Sequence, residues 1–253
     1  MPDIELGPWL ILFFFLIAFL YSMVGFGGGS SYIALLILMG VSHQLAPSIA
    51  LICNIIVVAG GSFHFHRNGH LNWSFVAPFL TLSIPFSFLG GLIAIDKNTY
   101  QIILGLALFA AASRMLIFKR DLYPSDDLGN RPLLLLSSII GAGLGFLSGL
   151  VGIGGGIFLA PILYIFKWGN PKHIAATASL FILVNSLAGL FGQLQKSQAL
   201  DQIQSFTPLL LAVLVGGQLG SWFCNHKFSL RKIEMFTSLL IFVVSLRLLS
   251  NVL

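Results

Sequence analysis

Two glycine-rich stretches, Gly25-Phe26-Gly27-Gly28-Gly29 and Gly152-Ile153-Gly154-Gly155-Gly156, could do chemistry here without any charged side chain. Each leads into a short apolar segment. Each would therefore present unbonded main-chain N–H groups and the positive end of a helix dipole, which together attract an anion. The candidate ligands are the N–H groups of Gly27, Gly28, Gly29 and Ser30, and of Gly154, Gly155, Gly156 and Ile157. The polar side chains that could complete the site are doubled as well. Ser48 and Asn54 recur as Ser179 and Asn185 at the same spacing, with Thr177 just ahead of the second pair. That spacing amounts to about 9 Å of helix rise and about 240° of rotation, so serine and asparagine stand at different depths. They either line a cavity or bond the freed backbone of the broken segments. Arg114-Met115-Leu116 recurs as Arg247-Leu248-Leu249. Three landmarks in one order, with offsets that barely drift, indicate an internal duplication. Duplicated apolar halves broken by glycine at matching places point to a transporter site between the halves.

The elements that position these residues must lie in lipid. The chain is 57% hydrophobic and 8% charged, too few charges to cover a soluble domain of this length, where about 25% is usual. The first half reads as an apolar run from Pro8 to Val24, the glycine loop, a segment Ser30 to Met39 too short to span, and three spanning segments, Leu45 to Phe63, Trp73 to Ile95 and Thr99 to Phe118. The second half repeats this with Pro132 to Val151, Ile157 to Phe166, His173 to Leu194, Ile203 to Phe223 and Leu230 to Leu253. The expected organisation is a first membrane repeat (1–118), a cytoplasmic linker (119–131) and a second membrane repeat (132–253). The Pro8 run is expected to belong to the mature membrane domain and not to be a signal peptide, since Asp3 and Glu5 precede it where a basic region is required and no small-residue cleavage site follows.

Lys and Arg decide the topology. If each broken pair makes one crossing, the halves run parallel and the loop cations divide almost evenly. If each pair is a hairpin that enters and leaves on one side, the halves are inverted. Arg67, Lys119, Arg120, Arg131, Lys167, Lys172, Lys227, Arg231 and Lys232 then share one side, against Lys97 and Lys196 on the other. The second split is the one the positive-inside rule expects. The fold class read from the sequence is thus an all-α polytopic membrane protein of two inverted-topology repeats. Each repeat has a glycine-broken helical hairpin plus three spanning helices, and both termini are non-cytoplasmic in the inner cell membrane.

Other chemically suggestive residues have plainer readings. Arg114 and Arg247 lie near segment ends, where long cations snorkel to the interface. His43 and His173 sit at the joints after the short segments and read as structural. His64, His66 and His70 around Arg67 read as a basic loop in preference to a metal set, since no Cys or carboxylate accompanies them. Cys53 and Cys224 lie in apolar runs and read as small buried hydrophobes. The glycines do not form a phosphate-binding loop, which needs a preceding strand and a following Lys-Ser/Thr. No metal or cofactor is expected, nor a catalytic residue, since Asp96, Asp201 and Glu234 lie at segment edges.

The run Gly152-Ile153-Gly154-Gly155-Gly156-Ile157-Phe158-Leu159-Ala160-Pro161-Ile162-Leu163, followed by His173-Ile174-Ala175-Ala176-Thr177-Ala178-Ser179, resembles the sulfite exporter TauE/SafE family. With the first glycine stretch, the resemblance covers essentially the whole chain in two copies. It implies a membrane permease for sulfite, sulfonates and related sulfur-containing anions. The first copy departs from the pattern: Ala34 stands where Pro161 does, and Pro47 precedes Ser48 where Ala178 precedes Ser179. The two half-sites are therefore not expected to be chemically identical. The expected function is a secondary transporter, an exporter of a small sulfur-containing anion bound between the two glycine loops. The alternatives are a passive anion channel using the same dipole ends and, more remotely, a membrane-embedded enzyme. The expected partners are the small anion and the lipid bilayer, with no nucleic acid.

Overall fold

The computed structural model describes residues 7–23, 25–117, 134–166, 168–169, 171–196 and 204–223, with short helical pieces at 242–243, 245–246 and 248–250. The expected linker 119–131, Arg247 and most of the expected last segment (230–253) lie outside the described residues. All the described elements are helical: α1 (Pro8–Ser22), α2 (Gly29–Leu38), α3 (Ala46–Arg67), α4 (Trp73–Leu92), α5 (Lys97–Ile117), α6 (Leu134–Val151), α7 (Gly156–Ile165), α8 (Pro171–Lys196), a 3₁₀ turn (Gln204–Phe206) and α9 (Thr207–Phe223). Among the described residues α3, α4, α6 and α8 are long and apolar enough to cross a membrane. α1 is shorter than the Pro8–Val24 run suggested. Its 15 residues reach about 22 Å, short of a hydrocarbon core of about 30 Å.

Both glycine loops break the chain where the sequence placed the breaks, and both short helices begin one residue earlier than expected. Gly28 (φ 83°, ψ 9°) caps α2, and Gly155 (φ 74°, ψ −23°) caps α7, each in the left-handed region that a side chain disfavours. The chain doubles back through the first loop. Tyr32 of α2 stacks on Phe14 of α1 at 4.9 Å, and Tyr21 and Ser31 share a hydroxyl hydrogen bond of 3.0 Å.

His64, His66 and Arg67 correct the loop assigned to them. They form the last turn of α3, where cations oppose the negative end of the helix dipole, and His70 alone of the four stands in the connection to α4.

Close packing of main chains ties the helices together across the two halves of the sequence. Gly141, Gly145 and Gly149 of α6 lie against the carbonyls of Phe79, Ser83 and Ser87 of α4, one turn apart on each helix. Gly216 and Gly220 of α9 lie in the same way against the carbonyls of Phe15 and Phe19 of α1. In lipid no hydrophobic force drives such contacts; dispersion at short range and main-chain polar contacts do. One buried cluster links α1, α2, α3, α5 and α9, and a second links α4, α7 and α8. Large apolar side chains such as Leu134, Leu135, Phe63 and Trp222 remain on the outside, as a lipid solvent permits.

Candidate functional site

Asn54 is where the two glycine loops meet. It lies mid-way along α3, fully buried. Its Nδ2 donates to the carbonyl of Ile153, at 3.1 Å, inside the second loop. Its carboxamide also lies against Gly27 and Gly29 of the first loop, in the space a Cβ at either position would claim. A Cβ at Gly154 would stand 2.7 Å from Asn54 Nδ2 and 3.1 Å from Ser186 Oγ. One side chain of the first half therefore touches both loops.

The loop backbones carry spare donors. Around α2, Ser31 and Tyr32 donate to the Gly28 carbonyl, whereas the N–H groups of Gly27, Gly28, Gly29 and Ser30 find no main-chain acceptor among the described residues. Around α7, Phe158 and Leu159 donate to the Gly155 carbonyl, and Gly156 donates to the Gly154 carbonyl at 3.0 Å. The N–H groups of Gly154, Gly155 and Ile157 remain. Gly156 thus departs from the expected set, because the tight turn consumes its donor. Gly27 to Ser30 and Gly154 to Gly156 are buried, and Ile157 is half-buried.

The other expected side chains have different surroundings. Ser179 Oγ pairs with Ser62 Oγ at 2.9 Å, joining α8 to α3. Ser48 is buried with its hydroxyl unpartnered, beside Pro47, on which Gly152 sits (a Cβ there would meet Pro47 Cα at 2.6 Å). Thr177 is buried in α8. Asn185 donates through Nδ2 to the Phe181 carbonyl of its own helix at 2.8 Å, while its main-chain carbonyl accepts from Ser87 Oγ at 2.7 Å. The two asparagines are therefore not equivalent: Asn54 bonds the opposite loop and Asn185 bonds its own helix.

The loops are braced from outside the expected set. Tyr100 of α5 donates to the Val151 carbonyl, 3.2 Å away, where α6 runs into the second loop, and His43 rests 5.9 Å from the Tyr100 ring. His173 Nδ1 donates to the His70 carbonyl at 2.7 Å, so the α7–α8 joint is tied to the α3–α4 joint. Burial, then the neighbouring Lys172 and His173, hold the His70 imidazole below the usual histidine range. The buried polar side chains among the described residues are Ser, Thr, Asn, Gln and Tyr, with no Lys, Arg, Asp or Glu among them. Among the described residues no three His, Cys, Asp or Glu side chains gather as a metal set.

A family model described as Sulfite exporter TauE/SafE matches residues 10–248. The chain belongs to that family. A relative from Sinorhizobium fredii, named a probable membrane transporter protein, is 36% identical over 244 residues, spanning 95% of this chain and 97% of its own. A relative from Methanocaldococcus jannaschii, also named a probable membrane transporter protein, is 29% identical over 201 residues, 74% of this chain and 72% of its own. A third with that description, from Bacillus subtilis, is 25% identical over 260 residues, 95% of this chain and 98% of its own. No solved structure matches the chain. This TauE/SafE protein is thus a membrane transporter and not an enzyme.

Within the TauE/SafE protein, sequence reasoning missed Ser186, Ser62 and Tyr100. Ser186 follows Asn185 directly, and its buried, unpartnered hydroxyl faces Gly154. Polarity inside an apolar run was the signal, the same one that singled out Ser179. It went unused because Ser62 and Ser186 have no serine at the repeated position.

Proposed function

We propose that this protein is a secondary transporter, working as an exporter, of a small sulfur-containing anion such as sulfite or an organosulfonate. The anion is held by the N–H groups of the two glycine loops on either side of Asn54. The observation that carries the reading is the meeting of both loops, with unbonded N–H groups, at one buried and uncharged point. Helix dipoles and N–H groups attract an anion with no fixed charge to desolvate, where a buried Arg would be expensive. Such a site captures an anion without trapping it, as transport requires. The halves are inverted around this point, with both termini outside the cytoplasm, on the strength of the Lys and Arg distribution. An inside-negative membrane favours export, because each negative charge leaving gains about 2.3 kcal/mol per 100 mV.

Counterflow in proteoliposomes tests this. Sulfite loaded on one side should accelerate saturable uptake of labelled sulfite from the other. Gly155→Val, with a branched side chain at φ 74°, should abolish the flux while folded protein is recovered. Unsaturable, unstimulated flux would assign a channel instead.

A further inference from the structure

Asn54 presents an unpaired acceptor at the glycine loops. Nδ2 gives one of its two hydrogens to the Ile153 carbonyl. Oδ1 is left fully buried and unpartnered, against Gly27 at the mouth of α2. The donation to a carbonyl fixes this orientation, since a flipped amide would set two oxygens face to face. Asn185 carries the same pattern: Nδ2 is spent on the Phe181 carbonyl and Oδ1 is buried without a partner. Phe181, one turn earlier, packs on Gly155, where a Cβ would meet its ring at 2.9 Å.

A buried amide oxygen with no donor has lost its hydration with nothing in return. An oxyanion stripped of protons offers only acceptors, so it would leave Oδ1 unsatisfied and add repulsion. An anion carrying its own O–H or N–H would satisfy both sides of the site, its oxygens taking the loop N–H groups and its donor meeting Oδ1. A site built to bond a ligand's donor rejects the analogue that lacks it far more strongly than an apolar pocket rejects a missing methylene.

We infer that Asn54 determines specificity by selecting, among the sulfur anions of the proposed function on which this rests, those that bear a hydrogen-bond donor. Hydrogen sulfite is taken ahead of the sulfite and sulfate dianions, and a donor-bearing sulfonate ahead of its plain alkyl counterpart.

Sulfamate and methanesulfonate make the test. They match in charge and shape, and differ in an amino group replacing a methyl group. Isothermal titration of the purified full chain in detergent should give sulfamate about tenfold the affinity of methanesulfonate. In Asn54→Ala the ratio should fall to near one. Equal affinities in the unaltered protein, or methanesulfonate the tighter, would overturn the inference while leaving the sulfur-anion reading in place. So would a ratio retained in Asn54→Ala. Binding of neither probe overturns both. Should Asn54→Ala not fold, Asn54→Leu, which keeps the volume and removes the acceptor, takes its place, and equal affinities in the unaltered protein overturn the inference without either variant.

Discussion

Alanine at Gly27 isolates the contact between Asn54 and the loops. The Gly27 backbone is not left-handed, so the new methyl group brings no conformational strain of its own. It would instead fall on Asn54 Oδ1, and stand 2.9 Å from Cγ and 3.3 Å from Cβ. The carboxamide must then swing out and release the Ile153 carbonyl. A buried carbonyl left unpaired costs about 1–3 kcal/mol, and overpacking adds about 1–3 kcal/mol. Asn54→Ala loses the same hydrogen bond but opens the space. In the double variant the methyl group has room and the bond is lost once only, so the pair should cost little more than Asn54→Ala alone. The expected coupling is therefore nearly the whole cost of Gly27→Ala, about 2–6 kcal/mol. Unfolding in detergent, followed by tryptophan fluorescence, reads the four corners of the cycle. Gly143→Ala is the control, since nothing lies within 4 Å of a Cβ there, and it should be neutral or stabilise by up to about 1 kcal/mol. Costs that add within about 0.5 kcal/mol would refute the argument that Asn54 is wedged between the loops.

His173→Gln keeps a donor for the His70 carbonyl and should leave transport and its pH profile largely intact; a lost pH dependence at normal expression would point to proton coupling through this joint. His70 is held below the usual histidine range, so its contribution to stability is complete above that range and fades as the pH falls through its lowered pKa. His70→Gln should flatten that part of a stability–pH curve measured by thermal unfolding. Single cysteines placed near Met1 and near Leu253 should both react with an impermeant thiol reagent added outside intact cells, and labelling of only one end would exclude inverted halves.

The breaks at Gly28 and Gly155 were legible because glycine repetition in an apolar chain has few other uses, and the left-handed caps bear that out. The starts of α2 and α7 were misplaced by one residue because a left-handed cap admits the next glycine into the helix. Asn54 was legible as a polar residue that needs a partner. Its partner was not, because Ile153 lies 99 residues away and helical periodicity carries no information about which helices meet. The same limit hid Tyr100 and Ser62, whose bonds also cross between distant segments. Equal spacing says nothing of equal surroundings, and the Asn185 amide turns back to its own helix. The expected N–H set lost Gly156 for a local reason, a tight turn within the loop.

The glycine faces on α6 and α9 have a consequence for synthesis of the chain. α4 rests on α6, and α1 rests on α9, so each long seam joins an early helix to a late one. α1 enters the membrane when every other described helix is still unmade, and it waits for α9 before the Phe15 and Phe19 carbonyls are covered. A nascent chain halted after α5 holds one of its glycine loops and neither of these seams. The two halves of the sequence, expressed separately, therefore have complementary faces with which to find one another.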